Sequence, residues 1–191
     1  MLDKSIPYKH ILMKRPKGSP VKDYVLPNGY SFCNYKDGHE LYWAEIESSV
    51  DEFDDRLSAL KYFTNEYLPY VNELKQRQIY VQDPAGYFVG TLTAWWNFTG
   101  DRRDAAVHWV AIKPEFQGKG LGKALVAEGL RRTISIDGDV DVYLHTQTWS
   151  YKAINIYLEL GFEFLRGETF GGYRNEYVDA IKIIGNRIKT V

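Results

Sequence analysis

VHWVAIKPEFQGKGLGKA, residues 107–124, is the stretch that sets the architecture of this chain. Its apolar first half reads as a strand. Pro114 opens a turn, and Gln117-Gly118-Lys119-Gly120-Leu121-Gly122 forms a glycine-rich loop before Lys123 and Ala124 start a helix. The first amides of a helix have no carbonyl to bond within it, so a strand-loop-helix of this kind is a ready phosphate site. Spacing narrows the ligand. A P-loop needs a hydroxyl after Gly-Lys to hold magnesium. Here Ala124 follows Gly122-Lys123, and Gln117 stands where the first glycine belongs. The dinucleotide fingerprint fails as well: begun at Gly120, its third glycine falls on Leu125.

What remains is Gln-x-x-Gly-x-Gly after an apolar strand. Together with Val110-Ala111-Ile112-Lys113-Pro114, and with the later run Ala153 to Phe162 ending in Tyr157-x-x-x-Gly161-Phe162, it resembles the GCN5-related N-acetyltransferase superfamily. The firm part of the resemblance covers residues 87–178; the N-terminal third matches only in general pattern. A glycine-rich turn alone is a common structural device. Two motifs in order, separated by one strand, carry more weight.

Composition is ordinary for a globular protein. The chain has 191 residues, 45% hydrophobic and 26% charged, so one domain spanning 1–191 is expected. Lys and Arg number 24 against 25 Asp and Glu, which leaves no global basic field for nucleic acid. A local basic group, Lys113, Lys119, Lys123, Arg131 and Arg132, surrounds the loop; of these, Lys119 and Lys123 are read as attracting a polyanionic cofactor. The single cysteine, Cys33, has no internal partner and fits a reducing compartment. No apolar run has membrane-spanning length, and a cytoplasmic location is the expectation.

Along the chain, residues 1–19 read as an N-terminal extension with one edge strand. Residues 39–49 and 53–75 have helical spacing, the latter interrupted near Pro69. Residues 78–82 and 87–97 read as strands joined by the turn at Asp83-Pro84-Ala85-Gly86. A strand at 105–112, a helix at 120–134 and a strand around Val140–Thr146 follow. Ser150 stands where it caps a helix that Gly161 stops. Residues 162–166 and 176–184 read as a closing hairpin. The fold class is therefore α/β (α+β): a mixed, mostly antiparallel sheet of six or seven strands with helices on both faces. The resemblance implies that two central parallel strands splay apart and admit the cofactor. Edge strands at both ends of the chain also make a homodimer conceivable.

The resemblance implies acetyl transfer from acetyl-CoA (coenzyme A) to a primary amine by direct attack in a ternary complex. The amides of Gly118, Lys119, Gly120, Leu121 and Gly122 would face the pyrophosphate, with Gln117 and Lys123 beside them. The backbone of Val110, Ala111 and Ile112 would pair with the pantetheine arm, and an N–H there would meet the acetyl oxygen. Such oxyanion donors are commonly worth roughly 3 kcal/mol each. Tyr157 stands at the family's general-acid position, and a phenol with a pKa of about 10 matches a thiol leaving group. His108 is the candidate base and shares a face with Val110 and Ile112 if the strand is regular. A water relay through Glu40, Glu45 or Glu47 is the alternative, and His145 on the next strand is a weaker one. Where the family often has Asn, contacting the cofactor arm, this chain has Ser150; Asn155 is the nearest substitute. No metal is implied.

The acceptor is left open between a small molecule and a peptide amine. Tyr42, Trp43, Tyr62, Phe63, Trp95, Trp96, Phe170 and Tyr173, with the acids Glu40, Glu45, Asp51, Asp54 and Asp55, suit a cationic or hydrophobic amine. Amphipathic packing accounts for more than half of these residues. Three rival readings remain: a non-catalytic acyl-CoA-binding regulator on the same fold, a transferase of a longer acyl group, and a peptide-binding module whose loop is only a turn.

Overall fold

The computed structural model describes residues 2–189. Seven strands form a mixed sheet: β1 (His10–Arg15), β2 (Ser31–Asn34), β3 (Gln78–Gln82), β4 (Phe88–Thr99), β5 (Arg102–Ile112), β6 (Val142–Gln147) and β7 (Glu163–Phe164), in the order β2-β3-β4-β5-β6-β1-β7. The helices are α1 (Glu40–Ser49), α2 (Arg56–Glu66), α3 (Val71–Arg77), α4 (Leu121–Asp137), α5 (Tyr151–Glu159) and α6 (Tyr177–Ile184). By internal contacts the chain falls into two compact units.

The first unit comprises residues 23–94 and 109–129. Asp55 caps α2 by accepting from Ser58 N at 2.7 Å, and the Ser58 hydroxyl bonds back to Asp55, so both ends of the first turn are satisfied. Asp83 builds the turn between β3 and β4, its carboxylate accepting from the amides of Ala85 and Tyr87 at 2.9 Å each. Trp43, Ala44, Ile46 and Glu47 form the inward face of α1. Two glycines set the spacing around the loop. A Cβ on Gly90 of β4 would collide with the Ile112 side chain and lie 3.2 Å from Ala111 O. A Cβ on Gly129 of α4 would lie 2.6 Å from Leu92 Cδ2. Glycine at both places therefore lets the end of β5 and the first half of α4 approach β4 closely.

The second unit comprises residues 2–22, 95–108 and 130 onward. β1 pairs antiparallel with β6 over six residues, from His10↔Gln147 to Arg15↔Val142. Its other side pairs with β7 through Met13↔Phe164 and Lys14↔Glu163. The expected N-terminal edge strand is thus an interior strand, and its buried residues Ile11, Leu12 and Met13 show why: both faces are covered. The parallel register of β5 with β6 comprises Ala105↔Val142 and Ala106↔Tyr143. Leu12, Ala106, Tyr143, Leu165 and Phe170 close one core cluster.

The expected closing hairpin is also corrected. Only Glu163–Phe164 is strand, and residues 177–184 form α6. Ala180 and Ile184, four residues apart, are fully buried, which is helical periodicity. The β-branched side chains of Val178, Ile181, Ile183 and Ile184, common in strands, are carried here by a helix.

Candidate active site

The loop lies where the sequence places it. The first bond of α4 runs from Ala124 N to Gly120 O at 3.3 Å. The amides of Leu121 and Gly122 precede it, at the N-terminus of the helix. Gly118 and Gly120 have φ of 77° and 84°, the left-handed region that glycine enters without strain. A Cβ at either would meet nothing within 4 Å. Backbone conformation, not crowding, therefore requires glycine here, and the space over the loop is open.

Gln117 has a structural task. Its Nε2 donates to Ile112 O at 2.8 Å, which ties the end of β5 to the loop. Lys113 Nζ pairs with Glu45 Oε1 at 2.5 Å, and Lys113 N donates to Val89 O at 2.9 Å. Lys119 is exposed with its ammonium 4.8 Å from the Phe116 ring centroid, and Lys123 lies 5.4 Å from that of Tyr24. Both cations stand at the loop, as their sequence positions imply.

β5 is not regular. Trp109 has φ of 50°, a left-handed value that a bulky residue adopts only when its surroundings hold it there. Three rings do so: Trp43 at 5.7 Å, Phe53 at 5.0 Å and Tyr62 at 5.1 Å between centroids. Trp109 Nε1 also donates to the Tyr62 hydroxyl at 3.3 Å. The alternation of faces does not carry across Trp109, so the condition for His108 to share a face with Val110 and Ile112 is not met. Ala111 and Ile112 are buried, and Val110 is half-buried.

His108 is half-buried. Burial, with a smaller contribution from the charge of His145, pushes its pKa down to about 4. At neutral pH the imidazole is uncharged and able to accept a proton.

The motif Tyr157-x-x-x-Gly161-Phe162 is first of all a helix stop. Gly161, with φ of 87°, follows the end of α5. Phe162 N donates to Tyr157 O at 3.0 Å, and Gly161 N donates to Leu158 O at 3.1 Å. These two bonds define a Schellman cap, and the edge contact of Phe162 on Tyr157, 5.8 Å between centroids, supplies its hydrophobic clasp. Tyr157 is 6% exposed. The cap and the contact with Phe162 hold its ring in one place.

Ser150 occupies the N-cap position of α5, but its side chain makes no cap bond, so the expected hydroxyl cap is corrected. Its φ and ψ of −95° and 25° depart from the extended geometry that directs a cap side chain onto the helix amides. Asn155 is engaged elsewhere: Nδ2 donates to Tyr151 O and Arg187 O, each at 3.1 Å, and Oδ1 accepts from Lys189 N at 2.6 Å. It anchors the C-terminal segment, and no cofactor contact is carried forward for it.

Of the aromatic residues noted in the sequence, Trp43, Phe63, Trp95 and Phe170 are core. Glu47 is one of the three acids that the sequence offers for a water relay. It is 1% exposed, its Oε1 has no hydrogen-bond partner, and burial raises its carboxyl well above the ordinary range. A separate cavity of about 730 Å³ in the first unit is bordered by Phe32, Asn34, Lys36, His39, Tyr42 and Phe88. Of these, Tyr42 is among the aromatic residues that the sequence offers for the acceptor. Among the described residues, no helix is long and apolar enough to cross a membrane.

Comparison with known proteins agrees with this geometry. A mycothiol acetyltransferase from Streptomyces bingchenggensis is 27% identical over 176 residues, covering 86% of this chain and 53% of that protein. One from Streptomyces coelicolor is 35% identical over 100 residues, covering 49% of this chain and 31% of that protein. The chain thus spans about half or less of the length of these curated relatives. Among solved structures, a GCN5-related N-acetyltransferase from Sphaerobacter thermophilus superposes with a TM-score of 0.64 at 16% identity, covering 84% of this chain and 49% of that one. A GNAT-family acetyltransferase from Colwellia psychrerythraea gives 0.61 at 9% identity, covering 83% and 54%. These two likenesses concern the fold. The model of the acetyltransferase (GNAT) family matches residues 34–162, well over half of the sequence, and the chain belongs to that family.

Proposed function

We propose that this protein transfers an acetyl group from acetyl-CoA to a primary amine by direct attack in a ternary complex. One observation carries the reading: an open loop with glycines at left-handed φ leads straight into the first amides of α4. Pyrophosphate oxygens suit those amides, and the helix dipole adds attraction. Lys119 and Lys123 supply positive charge at the loop's rim. The backbone of residues 110–112 holds the pantetheine arm, and an N–H there donates to the acetyl oxygen as negative charge develops.

The amine nitrogen attacks the thioester carbon. The neutral His108 accepts the proton that the nitrogen loses. When the tetrahedral species collapses, the C–S bond breaks and Tyr157 protonates the leaving thiolate. The low pKa of His108 makes it a weak base that gives the proton up readily. Similarity to proteins named mycothiol acetyltransferase supports a small-molecule acceptor. The protein works in the cytoplasm on this reading.

The test is thiol release from acetyl-CoA in the presence of a panel of amines: polyamines, arylalkylamines, amino sugars and peptide N-termini. Release that depends on an amine, with an acetylated product, supports the reading. Binding of acetyl-CoA without transfer to any amine would favour a regulator on the same fold.

A further inference from the structure

Three histidines fall on one face of three neighbouring strands in the second unit. The parallel register pairs Ala106 of β5 with Tyr143 of β6, and two residues further along each strand stand His108 and His145. The alternation holds over this step, because the break in β5 comes only at Trp109. The antiparallel register pairs His145 with Leu12 of β1, and His10 lies two residues from Leu12. Side chains two apart on a strand share a face. The packing agrees: Leu12, Ala106 and Tyr143 meet in one cluster, and the histidines form the next row.

Two members of the row are hydrogen-bonded to each other. His10 Nδ1 and His145 Nε2 are 2.8 Å apart, a hydrogen bond whose direction depends on the tautomers. The Tyr173 ring lies flat on His145, 4.0 Å between centroids and 12° between planes, which fixes the imidazole. His10 is half-buried and borders Tyr8, which is 40% exposed. The Tyr8 hydroxyl also lies 3.5 Å from His10 Nδ1. Glu176 accepts from His10 N at 3.1 Å and from Lys9 Nζ at 2.9 Å. Among the described residues, no group of three or more His, Cys, Asp or Glu is placed to hold a metal ion.

We propose that His145 and His10 form a proton relay that carries away the proton His108 takes from the acceptor amine. The inference rests on the acetyl-transfer reading above. His145 Nε2 already faces His10, which leaves Nδ1 as the nitrogen to receive the proton from His108. As one proton arrives at Nδ1, another leaves Nε2 for His10 Nδ1, and His10 Nε2 releases one to water. Only protons move: each imidazole ends neutral in the opposite tautomer, and a half-turn of each ring, which returns it to the same plane, resets the relay for the next proton. The depressed pKa values of His108 and His145, both about 4, keep the proton from being held within the row. His145 and His10 touch no substrate on this account and are positioning residues.

The experiment is steady-state thiol release with His145→Phe, which retains a ring against Tyr173, and with His10→Ala at the solvent end. Each should lower kcat about tenfold or more, leave the KM for acetyl-CoA unchanged, and regain rate as imidazole is added to the buffer. The wild-type rate should not respond to imidazole. Unchanged kcat in both variants would overturn the relay alone. So would a loss that imidazole does not restore, which marks a structural role. A wild-type protein that binds acetyl-CoA but acetylates no amine would instead overturn the parent reading, and the relay with it.

Discussion

Replacing Gly120 with Ala separates what the loop does for the fold from what it does for a ligand. Gly120 has φ of 84°, and a Cβ there meets nothing within 4 Å. The stability cost is therefore backbone strain alone, about 1–2 kcal/mol for an L-residue in the left-handed region. For a chain of this size that lowers Tm by about 2–8 °C. Gly138, just past α4, is a matched control, with φ of 83° and the same open surroundings. Gly138→Ala should cost the same stability. The two should differ in binding. A methyl on residue 120 projects into the space that phosphate must enter to come within about 3 Å of the loop amides. Losing one charge-assisted bond, about 1.5–3 kcal/mol, raises the Kd for acetyl-CoA by about 10- to 100-fold. Titration calorimetry on both variants reads this directly. Wild-type affinity in Gly120→Ala, or an equal loss in Gly138→Ala, would refute the assignment of the loop.

Three further outcomes are expected. Tyr157→Phe keeps the Schellman clasp with Phe162, so it should lower kcat by about 100-fold while acetyl-CoA affinity and Tm hold; an unchanged rate removes Tyr157 from the acid role. Gly129→Ala forces a Cβ to 2.6 Å from Leu92 Cδ2 and should cost about 1–3 kcal/mol, read as a lower urea midpoint; wild-type stability would mean that Leu92 can yield. Glu47 has a folded pKa raised above its unfolded value, so the stability it contributes is full below the ordinary carboxyl range and is lost as pH rises through the folded value. Glu47→Gln should therefore gain on the wild type between pH 5 and pH 8, measured by urea unfolding at each, and parallel pH curves would contradict the assignment.

How far the sequence reached can be followed residue by residue. β3 was read at its observed bounds because turn residues flank a short apolar run. The loop was legible because glycine spacing reports backbone conformation directly, and φ at Gly118 and Gly120 agrees. The interior place of β1 was not legible, since β7, which covers it, is only two residues long and lies 150 residues away. α6 was not legible because its Val and Ile residues are strand formers and eight positions are too few for the helical period to stand out. The φ of Trp109 is set by Trp43, Phe53 and Tyr62, which converge only in the folded chain. The histidine row has the same cause: His10 and His145 are 135 residues apart, and strand register brings them together.

The central claim is that this loop binds acetyl-CoA, and thermal unfolding tests it most directly. Saturating acetyl-CoA, at about a hundred times its Kd, adds roughly 2.7 kcal/mol at a single site. For 191 residues that is a rise in Tm of about 5–10 °C, with ATP giving none. An unchanged Tm at millimolar acetyl-CoA, or an equal rise with ATP, would contradict the account.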